Sequence, residues 1–377
     1  MFELLYWLAF FLASYSYFIY PLALRLLREL KGDRGQVVSG ATRPTMSLIV
    51  TAFNEQSRIR DKIENALGAQ YPDLEIIVAS DCSTDGTDDI VRQYQNRGVR
   101  LVRATERLGK ENAQRCAIAE ARGEILVFSD VATQIPPEAL AKLAVYFGDP
   151  SVGAVSSEDR FISAEGSVAG EGAYVRYEMW LRRLESELAG LVGLSGSFFA
   201  ARAGVCTQWD IHSPSDFNTA LNCARLGLRA VTAPDVLGYY RDLQDPGREY
   251  PRKVRTVLRG ITAIARHPDV LNPFRFGLFA WQVWSHKVMR WAVPWLLIAV
   301  FLLNLGLLGV HGLYQLLLLG QLLFYGVAAL AHVSARFRRI GPVRIVYFFV
   351  QANVAVAEAC LRFVTGTRMT TWQPSTR

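Results

Sequence analysis

Asp130 lies just after a short hydrophobic run, residues 125–128, within the stretch LVFSDVATQIPPEAL. An Asp-x-Asp pair at such a position is typical of a site for a metal ion and a diphosphate, but Ala132 occupies the place of the second carboxylate. Mg²⁺ and Mn²⁺ prefer oxygen ligands, so a single carboxylate is an incomplete ligand set. The residues alone leave three interpretations: a damaged metal site, a working site with fewer protein ligands, or only a turn.

Two further carboxylates follow predicted strands in the same way. Glu55 comes after the first strand of the central region and Asp81 after the second, whereas Asp130 ends the fourth. Ligands of open α/β sheets bind beyond the carboxyl ends of the strands, so three carboxylates at this edge favour a functional site. Each alone has a structural explanation: a first-turn helix carboxylate at Glu55, a turn residue at Asp81, and a turn before Pro136 at Asp130.

The elements that must position these carboxylates alternate between strand and helix. The runs TMSLIVTAF, LEIIVAS, VRLVRA, EILVFSD and VGAVSS predict strands, and helical segments separate them, which indicates a parallel sheet covered on both faces. No G-x-G-x-x-G follows the first strand, which argues against a nicotinamide-type site. The predicted helices cover residues 55–70, 87–96, 110–122 and 137–147.

Several motifs in this region, in order and spacing, resemble a known family. IVTAFNE, YPDLEIIVASDCSTDGTDDIV and RLGKENAQRCAIAEARGEILVFSD are similar to the nucleotide-sugar-binding half of family 2 inverting glycosyltransferases. The resemblance covers about residues 45–265 and implies a Rossmann-like GT-A catalytic domain with a mixed, mostly parallel sheet. It also implies that Glu55 and Asp81 contact the base and ribose of a nucleotide, usually uridine. The donor-binding residues that it implies are Thr51, Ala52, Glu55, Asp81, Lys110, Ser129, Asp130, Arg252 and Arg255.

The departures from the family pattern bear on the metal. Ser80 replaces the first of two Asp residues before STDGT, and Ala132 replaces the second Asp of the metal motif. Mg²⁺ is often held by one or two carboxylates together with substrate phosphates and waters. We therefore expect a working Mg²⁺ or Mn²⁺ site at Asp130 in which the donor's diphosphate supplies oxygens, Thr133 or Gln134 orients a water, and metal affinity is weak without donor.

A single-displacement transfer also needs a base for the acceptor hydroxyl. The segment HSPSDFNTALNCARLGLRAV matches the family's base-bearing segment and makes Asp216 the candidate, with Ser215 in place of the usual Glu. The same residues predict a helix start, with Ser213 as N-cap, Pro214 at the first helical position and Asp216 at the third, which is a capping box. The two interpretations are compatible, because a helix start fixes the side chain.

Two further segments are assigned by the resemblance. The small residues of VGLSGSFFAARAG predict the floor of the acceptor site, or otherwise a close-packed strand and turn. In YPRKVRTVLRG, Arg252 and Arg255 would cover the departing diphosphate, where fixed positive charge is most effective. A solvated or lipid-facing basic helix face is the alternative. This segment lacks the Trp that the family associates with processive polymer synthases, which indicates transfer of one sugar per acceptor.

Apolar segments flank the central domain. Residues 1–31 predict a retained transmembrane anchor rather than a cleaved signal peptide. Arg25, Arg28, Lys31 and Arg34 follow its apolar stretch and place the central domain in the cytoplasm by the positive-inside bias. Residues 291–365 predict a C-terminal transmembrane region with spans at 291–310 and 313–331, whereas 343–364 is either a third span or an interfacial helix. Residues 274–290 predict an interfacial amphipathic helix, or otherwise the polar start of a span.

The composition narrows the class of protein further. The chain has 377 residues, of which 51% are apolar, and a net charge of +7 that lies largely beside the apolar segments, in RLLRELKGDR and RFRRIG. Such clusters are typical of flanks near anionic lipid rather than of a nucleic-acid surface. The five cysteines form no C-x-x-C, so neither a disulfide framework nor a zinc site is predicted.

We therefore expect a membrane-anchored, inverting, metal-assisted glycosyltransferase of a bacterial inner membrane, with a cytoplasmic catalytic domain. Its expected partners are a nucleotide-sugar donor, a lipid-linked or saccharide acceptor and membrane lipid, with no nucleic acid. Two alternatives are a processive synthase that extrudes its polymer through its own spans, and a non-catalytic membrane scaffold. The scaffold is suggested by Ser80, Ala132 and Ser215, but it is disfavoured by the joint retention of Asp81, Lys110, Asp130 and Asp216.

Overall fold

The computed structural model describes residues 1–32, 43–162, 173–241 and 246–369. These residues form two compact units. One unit comprises Met1–Ala23, Asp245–Thr262 and Trp281–Arg368, and the other consists mainly of Leu24–Gln244 and Ala263–Ala280. The second unit contains the sheet and all of the predicted site residues except the two arginines of YPRKVRTVLRG.

A seven-stranded mixed sheet forms the centre of the second unit. Its spatial order is β3-β2-β1-β4-β6-β5-β7. The pairs β1–β2, β1–β4, β2–β3 and β5–β7 are parallel, whereas β6 runs antiparallel to both β4 and β5. This confirms the predicted mixed, mostly parallel sheet. The strands are β1 Met46–Ala52, β2 Glu75–Ser80, β3 Val99–Arg103, β4 Ile125–Asp130, β5 Val152–Ile162, β6 Phe198–Arg202 and β7 Arg229–Arg241.

Helices cover both faces of this sheet. The helices of the unit are α3 Ile59–Leu67, α4 Thr87–Arg92, α5 Lys110–Glu120, α6 Ala139–Tyr146, α7 Ala173–Leu188 and α8 Ser215–Arg225. Two clusters of buried apolar residues fill the space between the helices and the sheet, one with α3, α4 and α6 and the other with α5 and α8. Since central strands are buried on both faces, they read as continuous apolar runs, and every residue of β1 is buried.

One stacked aromatic group anchors β4 beside its antiparallel neighbour. The ring of Phe128 lies 4.8 Å from that of Phe199 on β6 and 5.0 Å from that of Trp209, centroid to centroid. All three side chains are buried. Aromatic pairs at such separations stabilise a core beyond the area that they bury, so the end of β4 that bears Asp130 lies beside a rigid core.

Several helices are shorter than their sequence pattern predicts. The helix expected over 55–70 begins at Ile59, because the amides of Arg58 and Ile59 donate to the Glu55 carbonyl in a turn that precedes it. The helix expected over 87–96 ends at Arg92 and gives way to a short 3₁₀ turn that Gly98 ends with a φ of +85°. Positive φ is readily adopted by glycine, so the chain can turn there into β3.

The first unit is built from long apolar helices. Four helical segments of the described chain are long and apolar enough to cross a membrane: Phe2–Lys31, Pro273–Gly306, Gly312–Val333 and Gly341–Val364. Within the unit, Tyr6 and Ala9 pack against Val300, Leu307 and Tyr314. The helices that lie wholly in this unit are α1 Phe2–Ser14, α11 Met289–Gly306, α12 Gly312–Val333, α13 Ala335–Arg338 and α14 Gly341–Val364. The helices α2 Tyr20–Lys31, α9 Pro246–Arg266 and α10 Pro273–Val283 have residues in both units.

The segment predicted to be interfacial is helical but irregular. Gly277 has a φ of +51° inside α10, so two helical pieces meet there at a kink, and a π-helical turn at Trp284–Val288 leads into α11. The predicted boundaries 1–31, 45–265, 274–290 and 291–365 stay predictions, as does the question of whether α14 crosses a membrane.

Candidate active site

The carboxyl ends of β1, β2 and β4 lie side by side. The parallel register pairs Ala52 with Ser80 and Thr51 with Asp130. Of the predicted donor-binding residues, Thr51, Ala52, Ser129 and Asp130 therefore lie on the adjacent strands β1 and β4. Glu55 and Asp81 follow directly on the ends of β1 and β2, and both are buried.

Glu55 is an element of the turn that joins β1 to α3. Its carboxylate forms an ion pair with Arg58, and its backbone amide donates to the Thr87 hydroxyl at 2.8 Å. The second contact ties the end of β1 to the start of α4. Glu55 thus lies where the sequence places it, with one cation already beside it.

Asp81 combines burial with an unsatisfied oxygen. Its backbone amide donates to the Ala52 carbonyl at 2.9 Å, and its Oδ1 accepts the Gly109 amide at 3.1 Å. Within the described parts of the chain, Asp81 Oδ2 has no hydrogen-bond partner, and neither has the hydroxyl of Thr51. Burial raises the pKa of Asp81 above its ordinary value. A buried polar atom left without a partner is costly, which indicates that a ligand supplies a donor to this carboxylate.

Lys110 joins two parts of the site. It is the first residue of α5 and is buried. Its Nζ lies 2.5 Å from Asp130 Oδ1 and donates to the Gly196 carbonyl at 2.8 Å. Lys110 thus connects the carboxylate at the end of β4 to the loop 193–197, which belongs to the segment predicted as the acceptor floor.

A second lysine, Lys62 on α3, lies behind Asp130 and was missed by the sequence analysis. It is fully buried, and its Nζ donates to the Ser129 hydroxyl at 2.8 Å and to the Thr133 carbonyl at 2.6 Å. Burial lowers its pKa to about 7, against the attraction of Asp130. Lys62 lies between Ile59 and Ile63 on the apolar stripe of its helix, and a cation on such a stripe is the sequence signal that could have found it.

Hydrogen bonds to Asp159 on β5 and Tyr240 on β7 hold the loop 193–197 in place. The Ser195 hydroxyl lies 2.6 and 2.7 Å from the two carboxylate oxygens of Asp159, and the Ser197 hydroxyl lies 3.0 Å from Asp159 Oδ1 and 2.8 Å from the Tyr240 hydroxyl. Burial raises the pKa of Asp159 even though these hydroxyls bond its charged form. No local pattern in the sequence marks Asp159, because its partners Ser195 and Ser197 are distant from it along the chain.

Asp216 lies on the other side of the same loop. Its backbone carbonyl accepts the Leu194 amide at 3.3 Å, and a Cβ atom added at Gly196 would lie 3.3 Å from Asp216 Oδ2. The absence of a side chain at Gly196 therefore leaves room for the carboxylate. The loop brings the candidate base to the same peptide that binds Lys110.

The predicted capping box at this helix is wrong. Helix α8 begins at Ser215, its N-cap position is Pro214, and no side chain caps it. The Ser213 hydroxyl instead donates to Asp210 Oδ2 at 2.7 Å, because Asp210 is held there by Arg266. Asp216 is thus not explained as part of a cap.

The two arginines assigned to the leaving group belong to the other unit. Arg252 and Arg255 lie on α9, one helical turn apart, among the residues of the unit that contains the apolar helices. Their role as a clamp on the departing diphosphate stays a prediction.

The residues around Asp130 fit a divalent cation only in part. No cluster of three or more His, Cys, Asp or Glu side chains that could hold a metal occurs among the described residues. Asp130 offers a partly exposed carboxylate, whereas Thr133 is buried and its hydroxyl donates to the Ser197 carbonyl at 3.4 Å. Hard cations accept such a single carboxylate when phosphate oxygens and waters complete the shell.

Comparisons with known proteins agree with this geometry. The family "Glycosyl transferase family 2" matches residues 47–202. Over 189 residues the chain is 26% identical to the poly-beta-1,6-N-acetyl-D-glucosamine synthase of Staphylococcus epidermidis, covering 49% of this chain and 44% of that protein. Over 85 residues it is 32% identical to WfaP of Escherichia coli, named a UDP-Glc:alpha-D-GlcNAc-diphosphoundecaprenol beta-1,3-glucosyltransferase, covering 22% of this chain and 34% of WfaP. The chain therefore spans less than half the length of these relatives.

The fold has a solved counterpart over nearly the whole chain. The mannosyltransferase PcManGT from Pyrobaculum calidifontis, solved in complex with GDP-Man and Mn²⁺, aligns with a TM-score of 0.72. The alignment covers 97% of this chain and 99% of that one at 22% sequence identity. This likeness shows the glycosyltransferase A fold.

The buried Lys62 makes stability depend on pH. Its folded-state pKa of about 7 lies below its ordinary value of 10.5, so the unfolded chain binds more protons between those values and the folded state gains stability as pH rises. We expect the thermal unfolding midpoint of the detergent-purified protein to rise from about pH 7 to about pH 9, and Lys62→Met to flatten that rise. Lys142→Met removes a half-exposed ammonium instead and should keep it. An unchanged pH slope in Lys62→Met contradicts the assignment.

Proposed function

Because residues 47–202 belong to glycosyltransferase family 2, we propose that this chain is a membrane-bound inverting glycosyltransferase. It moves one sugar from a nucleoside-diphosphate sugar, with UDP as the expected nucleotide, to a lipid-linked saccharide. The reaction serves cell-surface polysaccharide or glycolipid synthesis. The observation that carries the proposal is the unsatisfied, buried Asp81 Oδ2 at the same sheet edge as the Lys110–Asp130 pair. The Asp81 carboxylate suits a nucleobase, and the Lys110–Asp130 pair suits a diphosphate.

The nucleobase end of the donor is assigned to Asp81. Its free Oδ2 requires an N–H donor, and the imide N–H of uracil supplies one in the plane of the ring. The other oxygen is held by the Gly109 amide, directly before Lys110. The base and diphosphate positions are therefore linked through two consecutive residues at the start of α5.

The diphosphate end of the donor is assigned to Lys110 and Asp130. The Lys110 ammonium is a positive charge in a partly water-excluded site, where it stabilises developing negative charge far more than it would in water. A Mg²⁺ or Mn²⁺ ion held by Asp130 would add Lewis-acid stabilisation of the departing phosphate oxygens. Lys62 fixes the peptide around Asp130 through Ser129 and Thr133.

Asp216 is assigned as the base. In a single displacement the acceptor oxygen forms a bond to the anomeric carbon while the bond from that carbon to the phosphate oxygen breaks. The electron pair of the broken bond leaves with the nucleoside diphosphate, and the acceptor's proton passes to the Asp216 carboxylate. Gly196 leaves the space beside that carboxylate open.

The apolar helices support an acceptor carried in a membrane. Four helical segments of the described residues are long and apolar enough to span a bilayer, and the name of WfaP contains a diphosphoundecaprenol-linked acceptor. Arg25, Arg28 and Lys31 lie on α2, and arginines cluster at 336–339. Cytoplasmic flanks are enriched in such residues, so we assign the catalytic unit to the cytoplasmic face of a bacterial inner membrane.

A processive polysaccharide synthase is the second candidate. It is favoured by the 189-residue match to a poly-beta-1,6-N-acetyl-D-glucosamine synthase. The missing Trp in the YPRKVRTVLRG segment favours single transfer instead. Product length decides between them: a synthase gives a ladder of sugars from one acceptor, whereas single transfer gives one added residue.

Nucleotide binding tests the donor assignment. We expect calorimetric titration of the detergent-purified protein to show UDP binding that is stronger with Mn²⁺ than with EDTA, because Asp130 and the diphosphate share the cation. Asp81→Asn replaces one carboxylate oxygen with an NH2 group, so either the Gly109 amide or the base N–H loses its acceptor. UDP affinity should therefore fall by about tenfold or more. GDP serves as the comparison nucleotide, and binding of neither nucleotide would contradict the proposed function.

Two substitutions test the base. Asp216→Asn removes the proton acceptor but keeps the side chain's shape, so we expect transfer to fall by about a hundredfold or more while UDP affinity is kept. Gly196→Ala places a methyl group against the Asp216 carboxylate and should lower transfer as well. Gly204→Ala is the matched control, since nothing lies within 4 Å of a Cβ there. Equal loss of donor binding and transfer in Asp216→Asn would remove Asp216 from the role of base.

A further inference from the structure

The carboxylate of Asp130 already has a cation beside it. Lys110 Nζ is 2.5 Å from Asp130 Oδ1, and both side chains are largely withdrawn from water, with 9% and 29% of their surfaces exposed. Salt and water screen such a partly buried pair less than they screen an exposed one. Lys110 therefore occupies the place where a divalent cation would meet its protein ligand.

The same ammonium also binds the acceptor floor. An ammonium has three N–H donors, and those of Lys110 reach both the Asp130 carboxylate and the Gly196 carbonyl, the latter at 2.8 Å. Gly196 lies against the Asp216 carboxylate. Any movement of Lys110 toward a bound ligand therefore changes the contacts of Asp130 and of the loop next to the base.

The charges at Asp130 favour binding of a diphosphate before binding of a divalent cation. Lys110 compensates Asp130 at contact distance, and Lys62 lies on the protein side of the same turn, where it adds positive charge only when it is protonated. Ala132 occupies the second carboxylate position, and the described residues contain no cluster of three or more His, Cys, Asp or Glu side chains that could hold a divalent ion. The Lys110 ammonium can attract a diphosphate, whereas a divalent ion alone must displace that ammonium from Asp130.

From these contacts we propose that Lys110 is an exchangeable internal counter-ion. Without donor it binds Asp130 and the Gly196 carbonyl. When a nucleoside diphosphate binds, Lys110 transfers its N–H donors to phosphate oxygens, and this frees Asp130 for a divalent cation. The protein thus acquires its metal with the donor and not before it, and the acceptor floor loses its contact with Lys110 in the same step. This rests on the proposed function, whose donor and base it takes as given.

Metal binding by the donor-free protein tests the exchange directly. We expect Mn²⁺ affinity, measured by the electron paramagnetic resonance of free Mn²⁺ in titrations of the detergent-purified chain, to be weak in the wild type. Lys110→Met removes the competitor and should raise that affinity by about tenfold or more while it lowers UDP affinity. Lys110→Arg keeps a cation that pairs with carboxylates in a fork, so it should keep metal affinity low.

Lys142→Met is the matched control for the loss of one positive charge, because Lys142 pairs only loosely with Glu138 on α6, at 3.4 Å. It should leave Mn²⁺ affinity unchanged. Equal Mn²⁺ affinity in the wild type and Lys110→Met overturns the exchange, as does tight Mn²⁺ binding by the wild type without UDP. These readouts use no transfer assay, so they are separate from a failure of the proposed function, which would show as loss of UDP and GDP binding in the wild type.

Discussion

The site depends on the Lys110 ammonium, which contacts two oxygens from different parts of the chain. One is the carboxylate that ends β4, and the other is the Gly196 carbonyl in the loop before β6. Strand β4 carries Asp130, whereas the loop carries the position next to Asp216. A single buried cation therefore links the end of β4 to the loop beside Asp216, and a change in its partners reaches both.

Sheet topology makes that contact geometrically available. If β6 were parallel to β4, the loop before it would lie at the opposite edge of the sheet, far from Asp130. Because β6 runs antiparallel to β4, the start of β6 lies beside the end of β4, where the Asp130 amide donates to the Ser197 carbonyl at 3.0 Å. One reversed strand thus brings a second functional loop to the edge at which the parallel strands end.

The site is built on buried polar groups that a purely structural core would avoid. Lys62 is fully buried, and Asp159 is bonded by hydroxyls from Ser195 and Ser197 beneath the acceptor floor. Desolvation of such groups costs stability unless hydrogen bonds offset it. Their effect is rigidity: Lys62 fixes the turn after Asp130, and Asp159 fixes the loop that faces Asp216. Preorganised polar groups of this kind need no rearrangement when charge develops.

The sequence by itself determined the sheet class, the edge at which Glu55, Asp81 and Asp130 meet, and the presence of long apolar helices. These follow from local patterns: apolar periodicity, strand–helix alternation and the motif residues at strand ends. Only the tertiary structure decided which groups touch. The burial of Lys62, the Asp159 cluster and the use of Ser213 by Asp210 instead of α8 all involve partners distant in the sequence. Spacing along the chain carries no information about such contacts, because they form when strands and loops pack into one core.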